Sequence, residues 1–344
     1  MKKKTVFYIF ITNIVILITI ILVVEFASRI FFPRDIKSLF FDPNLRISGR
    51  PFIEPDPNRG FALKPNFKNM LYHINSKGFR GNEFPGNLND YYVIVTLGES
   101  TTFGWLVGEK ETYPFHLNQI LNNNKWSNIY VINAGIPSYS SSQVRIYLEE
   151  LLEHIKPDFI IVNILWNDIW YSALQNWYPE VLIYQSPRKW QKFLLKYSNF
   201  YRSLFLQNKS QKANLTNVIN SKALNTYRKN IIKIIQICNK RSIQLAFVIP
   251  PFDGNHFPEE GLNPFNQVRL TKSFFIRLAK KYIDALESSF MEYDIPVIDH
   301  SLSLNSKKER QDLFLDCVHP NAPGNLIMAS DIANFIIKYN LISK

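Results

Sequence analysis

The 344-residue chain contains only two cysteines, Cys238 and Cys317, and no residues with the spacing of a zinc site. Two cysteines allow at most one disulfide and form no disulfide framework, so we expect both to be unpaired. The Gly-x-Ser-x-Gly elbow of ordinary α/β-hydrolases is also absent, because position 102 is threonine. These absences exclude a disulfide-stapled domain and that particular type of serine hydrolase.

The chain also lacks any long block of basic residues, although its formal net charge is +12. Lys2–Lys4 is the longest run of Lys or Arg, and no nucleic-acid-binding motif accompanies the charge. A basic excess fits nucleic acid, an anionic membrane or an acidic polymer, but also a solvated lysine-rich surface. We favour the solvated surface and expect no nucleic-acid partner.

A long apolar run, Thr5–Val24, follows these lysines and contains no charged residue. About 20 such residues cross a bilayer, whereas a signal peptide has a shorter apolar stretch and a small-residue cleavage site. "VEFASRIFF" is a poor cleavage site. We therefore predict an uncleaved single-pass anchor over residues 1–24, with cleavage and a buried core helix as alternatives. The lysines predict a cytoplasmic N-terminus and an extracytoplasmic catalytic domain.

Residues 25–90 are rich in Pro, Asn, Gly and aromatic residues, which predicts a membrane-proximal irregular segment with at most a short edge strand. From residue 91 onwards, short apolar runs alternate with helical periodicity. The predicted strands are Tyr92–Leu97, Ile129–Ala134, Phe159–Leu165, Gln244–Ile249 and Pro296–Asp299. The predicted helices are Tyr113–Asn122, Ser141–His154, Ala223–Lys240, Leu270–Tyr293 and Asn325–Tyr339.

This alternation predicts a five-stranded parallel sheet in a flavodoxin-like three-layer α/β/α sandwich over residues 91–344. An aromatic-rich insert, about residues 169–220, separates the third strand from the next long helix. We expect an extra helical layer there; a lid, or a surface resting on membrane or substrate, is the alternative.

Polar residues follow the predicted strands, and ligands bind beyond the carboxyl ends of parallel strands. Ser100 is a candidate nucleophile, His319 a base that could take its proton, and Asp316 an acceptor that could hold the imidazole. The Ser100 amide, the Gly135 amide and the Asn167 side chain could donate to an oxyanion. This set of residue types is that of an acyl-transfer site.

Each residue also has a purely structural interpretation. Ser100 could cap a helix, Gly135 could only turn the chain, and Asn167 or Asp168 could be a helix cap. His300 follows Asp299 and is the best rival base, but neighbouring residues on an extended chain point apart. Among six histidines, His319 alone has Asp three residues before it and Pro directly after it.

Four segments together resemble the blocks of the SGNH, or GDSL-type, hydrolase superfamily over about residues 91–339. The four are "GESTTFG", "NAGIPSYSS", "LWND" and "DCVHPN". The resemblance implies Ser100 as nucleophile, His319 as base and Asp316 as its partner, with Gly135 and Asn167 in the oxyanion hole. "NSKGFRGNEF" resembles the segment before the catalytic domain in membrane-anchored bacterial members.

Two positions depart from the family pattern. Glu99 replaces the usual Asp before the serine, which leaves the nucleophile intact. Leu165 replaces the glycine usually found two residues before the Asn, which puts the size of the substrate in doubt.

The function expected from these features is a membrane-anchored serine esterase that needs neither a metal nor an organic cofactor. Family and location suggest an ester or acylated glycan as substrate, such as O-acetylated cell-envelope polysaccharide. An O-acyltransferase using the same site, or a non-catalytic membrane-tethered carbohydrate-binding protein, is the alternative. The oligomeric state is not predicted.

Overall fold

The computed structural model describes residues 2–31, 51–56, 58–123, 128–173, 194, 198, 200–201, 219–258, 270–300 and 313–342. It divides into two units: residues 1–50 with 186–212, and residues 51–185 with 213–344. Most of the insert at 169–220 lies outside the described residues. Cys238 and Cys317 are both free and buried.

The described part of the first unit consists mainly of one helix, α1, Lys2–Phe31. Its segment Phe7–Ile30 has a mean hydropathy of 2.8 over its most apolar stretch, and its apolar side chains are exposed. A helix of this length spans about 36 Å, and the hydrocarbon core of a bilayer is about 30 Å thick. The helix is thus long and apolar enough to cross a membrane, although a signal sequence has the same properties.

The second unit is built around a five-stranded parallel sheet in the order β4-β3-β5-β6-β7. Its strands are β3 Tyr92–Gly98, β4 Ile129–Gly135, β5 Phe159–Asn163, β6 Gln244–Ile249 and β7 Val297–Asp299. The connections after β3 and β5 leave in opposite directions, so a crevice is expected between the carboxyl ends of these two strands. We refer to this side of the sheet as the carboxyl edge.

Helices cover both faces of the sheet, which confirms the predicted three-layer fold. Their bounds are α2 Ser100–Phe103, α3 Tyr113–Asn122, α4 Ser141–Leu151, α5 Trp166–Ser172, α6 Ser221–Lys240, α7 Lys272–Tyr293 and α8 Ala322–Lys338. Helices α3 and α8 pack together over one apolar face that includes Ile94, Ile161 and Val248. Helices α4, α6 and α7 form the opposite layer, where Phe247 of β6 packs on Phe290 of α7.

Residues 51–90 contain more regular structure than their composition predicts. An antiparallel hairpin joins β1 Ile53–Asp56 to β2 Gly60–Leu63. Asp56 accepts the amides of Asn58 and Arg59 in the turn, and Arg59 pairs with Glu150 of α4 at 2.9 Å. Residues 51–90 therefore belong to the same unit as the sheet. The predicted domain boundary at residue 90 stays a prediction.

Candidate active site

A chain of three polar side chains lies at the carboxyl edge. Ser100 Oγ is 2.8 Å from His319 Nε2, and His319 Nδ1 is 2.7 Å from Asp316 Oδ2. When Nδ1–H of a neutral imidazole donates to a carboxylate, Nε2 is left to accept a hydroxyl proton. The structure thus brings together Ser100, Asp316 and His319, although 219 residues separate the serine from the histidine in the sequence.

The Asp316–His319 loop is held by its own main chain. Asp316 Oδ1 accepts the amides of Val318 and His319, both at 2.9 Å. Burial would raise the pKa of Asp316, but the hydrogen bond and charge of His319, with these two amides, lower it below its ordinary value. Asp316 is consequently ionised at neutral pH and is placed to orient the imidazole.

Ser100 is the first residue of α2, a single helical turn that follows β3 and ends at Gly104, whose backbone is left-handed with φ 80°. The side chain of Glu99 makes no cap hydrogen bond to α2, and the Ser100 hydroxyl bonds to His319. A Cβ at Gly104 would lie 3.2 Å from Thr112 Cβ, so both the φ value and the available space favour glycine. This turn directs the Ser100 hydroxyl towards the imidazole.

A buried arginine fixes the chain just after this turn. Arg80 donates to the carbonyl oxygens of Gly104 and Val107, at 2.8 and 2.7 Å, and its guanidinium lies 4.3 Å from the ring centroid of Phe103. Burial lowers the pKa of Arg80 to about 10, which still leaves it charged at neutral pH. Arg80 belongs to the segment before the sheet, so that segment supports the Ser100 turn.

Glu99 connects the Ser100 turn to α5. Its carboxylate accepts the amides of Leu165, Trp166 and Asn167, at 3.1, 2.8 and 2.9 Å. Unpaired N–H groups are a feature of every helix start, and the N-cap residue of α5 provides no side-chain cap of its own. Burial raises the pKa of Glu99 to about 8, against the opposing effect of these amides. The residue before the candidate nucleophile therefore caps the helix that carries Asn167.

A second buried carboxylate makes an equivalent connection from α5 to α4. Asp168 accepts the Ser141 amide at 2.7 Å and the Ser141 hydroxyl at 2.6 Å. Burial raises the pKa of Asp168 to about 7, although both hydrogen bonds lower it. Asp168, which lies on α5, thus caps the start of α4, in line with its structural interpretation as a helix cap.

The three candidate oxyanion donors occupy different environments. Asn167 Nδ2 donates to the Tyr139 carbonyl at 3.0 Å and carries a second hydrogen. The Gly135 amide donates to Asn133 Oδ1 at 3.0 Å. A Cβ at Gly135 would lie only 2.6 Å from the carbonyl carbon of Thr102, so glycine lets α2 pack against β4. The Ser100 amide lies at the start of α2, where N–H groups lack partners within the helix.

His300, the rival base, is fully buried, and its Nδ1 lies 3.4 Å from Asp331 Oδ2 on α8. It is therefore His319 whose hydrogen bond reaches Ser100. Leu165 is also fully buried, so its side chain belongs to the core around α5.

Several neighbours of the site were not predicted from the sequence. Trp105 follows the Ser100 turn, and its ring centroid is 6.5 Å from that of His319. A second Asp–His pair, Asp253 and His256, follows β6. The shared Asp-x-x-His spacing is the sequence signal that could have revealed this pair.

The five-stranded parallel sheet with helices on both faces defines the class as a three-layer α/β/α protein, in which Ser100 follows β3 at the carboxyl edge. The chain belongs to the GDSL-like lipase/acylhydrolase family, whose sequence profile matches residues 96–327. This membership supports an ester hydrolase activity.

Among solved structures, a lipase/acylhydrolase from Enterococcus faecalis is 17% identical, with 72% of this chain and 96% of that chain covered and a TM-score of 0.45. The esterase EstA from a Pseudoalteromonas species is 14% identical, with coverages of 73% and 100% and a TM-score of 0.45. An acetyl-xylooligosaccharide esterase from Geobacillus is 17% identical, with coverages of 71% and 94% and a TM-score of 0.44. No curated protein matches the chain.

Proposed function

We propose that the chain is a serine esterase that forms an acyl-enzyme on Ser100. The observation that carries the proposal is the hydrogen-bonded series from Ser100 through His319 to Asp316, at 2.8 and 2.7 Å. A serine hydroxyl is a weak nucleophile unless an adjacent base takes its proton, and His319 is within reach of that proton.

In the first half of the reaction, His319 Nε2 takes the hydroxyl proton as Ser100 Oγ attacks the ester carbonyl carbon. Asp316, ionised and bonded to Nδ1, stabilises the imidazolium that results. The imidazolium then protonates the leaving alcohol, and the acyl group stays on Ser100. In the second half, His319 takes a proton from water as the water oxygen attacks the acyl carbon. The imidazolium then returns this proton to Ser100 Oγ as the bond from Oγ to the acyl group breaks and the acid leaves.

The oxyanion of each tetrahedral intermediate needs fixed donors. We assign this role to the Ser100 amide, the Gly135 amide and the Asn167 side chain. The Glu99 cap supports this assignment, because it holds the start of α5 against the residue next to Ser100. Gly135 contributes once Asn133 Oδ1, its present acceptor, shares or releases the amide.

Replacing Asn167 with alanine should lower kcat by about 10²–10³ and leave KM little changed, because the donor acts mainly when negative charge develops. Steady-state kinetics together with a melting curve provide the measurement. The variant also loses the hydrogen bond to Tyr139 O, so a matched control is required.

Asn122→Ala is that control, because Asn122 Nδ2 likewise donates to a main-chain oxygen, that of Ile129 at 2.8 Å, at the start of β4. Asn122 also bonds the Asn118 carbonyl and the Ile129 amide, so Asn122→Ala should lose at least as much stability as Asn167→Ala, while only Asn167→Ala should lose kcat. A lowered melting temperature with unchanged kcat would remove Asn167 from the site.

We propose that the substrate is an O-acylated polysaccharide of the cell envelope. The support is the family, whose members act on acyl esters, and a helix able to place the enzyme at a membrane. Turnover of acetylated glycans, compared with short and long acyl esters of a simple phenol, tests this. Efficient cleavage of long-chain esters, with none of acetylated glycans, would contradict it.

For location, we propose that α1 anchors the enzyme with its N-terminus in the cytoplasm and the catalytic unit outside. Lys2, Lys3 and Lys4 precede the apolar span, and basic residues remain on the cytoplasmic side. Protease added to intact cells, after any outer membrane is permeabilised, should digest the catalytic unit while a cytoplasmic marker survives. Protection until the inner membrane is lysed would reverse the orientation.

A further inference from the structure

A second Asp-x-x-His pair repeats the local geometry of the Asp316–His319 loop. Asp253 Oδ2 lies 2.6 Å from His256 Nδ1, against 2.7 Å in the first pair. Asp253 Oδ1 accepts the amide two residues later at 3.0 Å, and Asp316 Oδ1 does the same at 2.9 Å. In both loops, one carboxylate fixes the turn and orients an imidazole.

The two pairs are directly connected. The Asp253 amide donates to the carbonyl oxygen of Cys317 at 2.9 Å, and Cys317 follows Asp316 in the chain. On the other side, the ring of Phe252 packs on that of Trp166 at 5.8 Å, and Trp166 precedes Asn167. The Asp253–His256 loop therefore lies at the carboxyl edge, between the loop of the base and the helix of a proposed oxyanion donor.

Burial differs sharply within this pair. The Asp253 side chain is fully buried, whereas that of His256 is 32% exposed. Asp253 also caps the short 3-10 turn Gly254–His256 through the Asn255 amide. Capping accounts for the aspartate but needs no imidazole, and an imidazole oriented from inside the protein presents its Nε2 outward.

An aromatic ring lies near the His319 imidazole, and another belongs to the residue that precedes Asp253 in the chain. Phe252, next to Asp253, and Trp105, beside His319, are each partly exposed. A sugar offers hydroxyl groups that can donate to or accept from an imidazole, and an apolar C–H face that packs on aromatic rings. A simple alcohol lacks this combination.

We propose that His256, oriented by Asp253, forms a subsite that binds a hydroxyl group of a sugar, the alcohol part of the ester. The inference rests on the proposed esterase function and specifies its substrate class. In this role His256 recognises the substrate while His319 carries the proton. The same subsite would hold a sugar acceptor if the acyl group were transferred to one.

The test is binding to a catalytically inactive protein, so its outcome does not depend on turnover. Methyl 6-O-acetyl-glucopyranoside is titrated by NMR into full-length Ser100→Ala protein, then into Ser100→Ala carrying His256→Ala or His154→Ala. His154 lies beyond the end of α4, near the start of β5 and away from the carboxyl edge. We expect about tenfold weaker binding with His256→Ala, the effect of one lost hydrogen bond, and none with His154→Ala.

Equal binding by the His256→Ala and His154→Ala proteins would overturn the subsite and leave Asp253–His256 as a structural turn. A second measurement uses His256→Ala protein that retains Ser100. Its kcat/KM for the acetylated glucoside, divided by its kcat/KM for phenyl acetate, should be about tenfold lower than in the unmodified protein, because KM for the glucoside rises. An unchanged ratio would also overturn the inference. Absence of all ester turnover in the unmodified protein would instead contradict the proposed function, with the binding result still deciding the subsite.

Discussion

The Ser100→Ala protein should hydrolyse esters at least about 10⁴-fold more slowly than the unmodified protein, while melting at nearly the same temperature. The substitution removes only Oγ, whose hydrogen bond goes to His319. The α2 turn is kept by main-chain bonds, including those from the Gly104 and Trp105 amides to the Ser100 carbonyl at 3.0 Å, and alanine suits a helix start. Turnover assays with a melting curve make the measurement.

A fluorophosphonate probe provides a second readout, because it labels an activated serine covalently. The unmodified protein should be labelled at Ser100, and Ser100→Ala should not be labelled. Ser330→Ala is the matched control: its hydroxyl donates to Leu326 O on the exposed side of α8, so labelling and turnover should persist. Undiminished turnover in folded Ser100→Ala protein would end the proposal of an acyl-enzyme on this residue.

The second large effect is expected at the base. His319→Ala should slow turnover nearly as much as Ser100→Ala, because no other imidazole hydrogen-bonds the Ser100 hydroxyl among the described residues. Asp316→Ala should be roughly 10- to 100-fold milder, since Asp316 orients and stabilises the imidazole without transferring the proton. Single-turnover kinetics on the three folded variants would give this order.

His300→Ala is the control that separates chemistry from packing. His300 is fully buried beside Asp331, so its loss should lower the melting temperature, with little change in kcat for the folded fraction. The assignment of the base is wrong if His300→Ala abolishes turnover in folded protein and His319→Ala does not.

The sequence predicts those parts of the fold that local periodicity encodes. Tyr113–Asn122 and Gln244–Ile249 have the predicted bounds, because their apolar residues recur at the helical and strand periods between clear breaks. The third strand ends two residues earlier than expected, at Asn163. Its apolar run continues into α5, and apolar character alone does not mark where a buried strand becomes a helix.

Contacts between distant segments are what the sequence does not reveal. Glu99 looks like a conservative replacement beside the nucleophile, yet its three partners lie 66 to 68 residues later, at the start of α5. That helix start follows β5, whose position next to β3 depends on the sheet order. Arg80 belongs to a Gly-rich stretch that predicts a turn, and only the fold shows it buried against Phe103. The β1–β2 hairpin was missed because its strands have only four residues each.

The placement of Arg80 also has a consequence for the order in which the chain folds. Its partners beyond the Ser100 turn, the Gly104 and Val107 carbonyls, follow it by only 24 and 27 residues, whereas the Ser100–His319 hydrogen bond closes a loop of 219 residues. Closing a longer loop loses more chain entropy, and synthesis begins at the N-terminus, so the turn can be secured well before the imidazole arrives. In pulsed hydrogen exchange during refolding, protection around Gly104 should precede fluorophosphonate reactivity; simultaneous recovery would contradict this order. A partly synthesised chain would then have Ser100 in its final position but no His319 to accept the hydroxyl proton. It would not hydrolyse esters until α8 packs on the sheet and brings His319 into place.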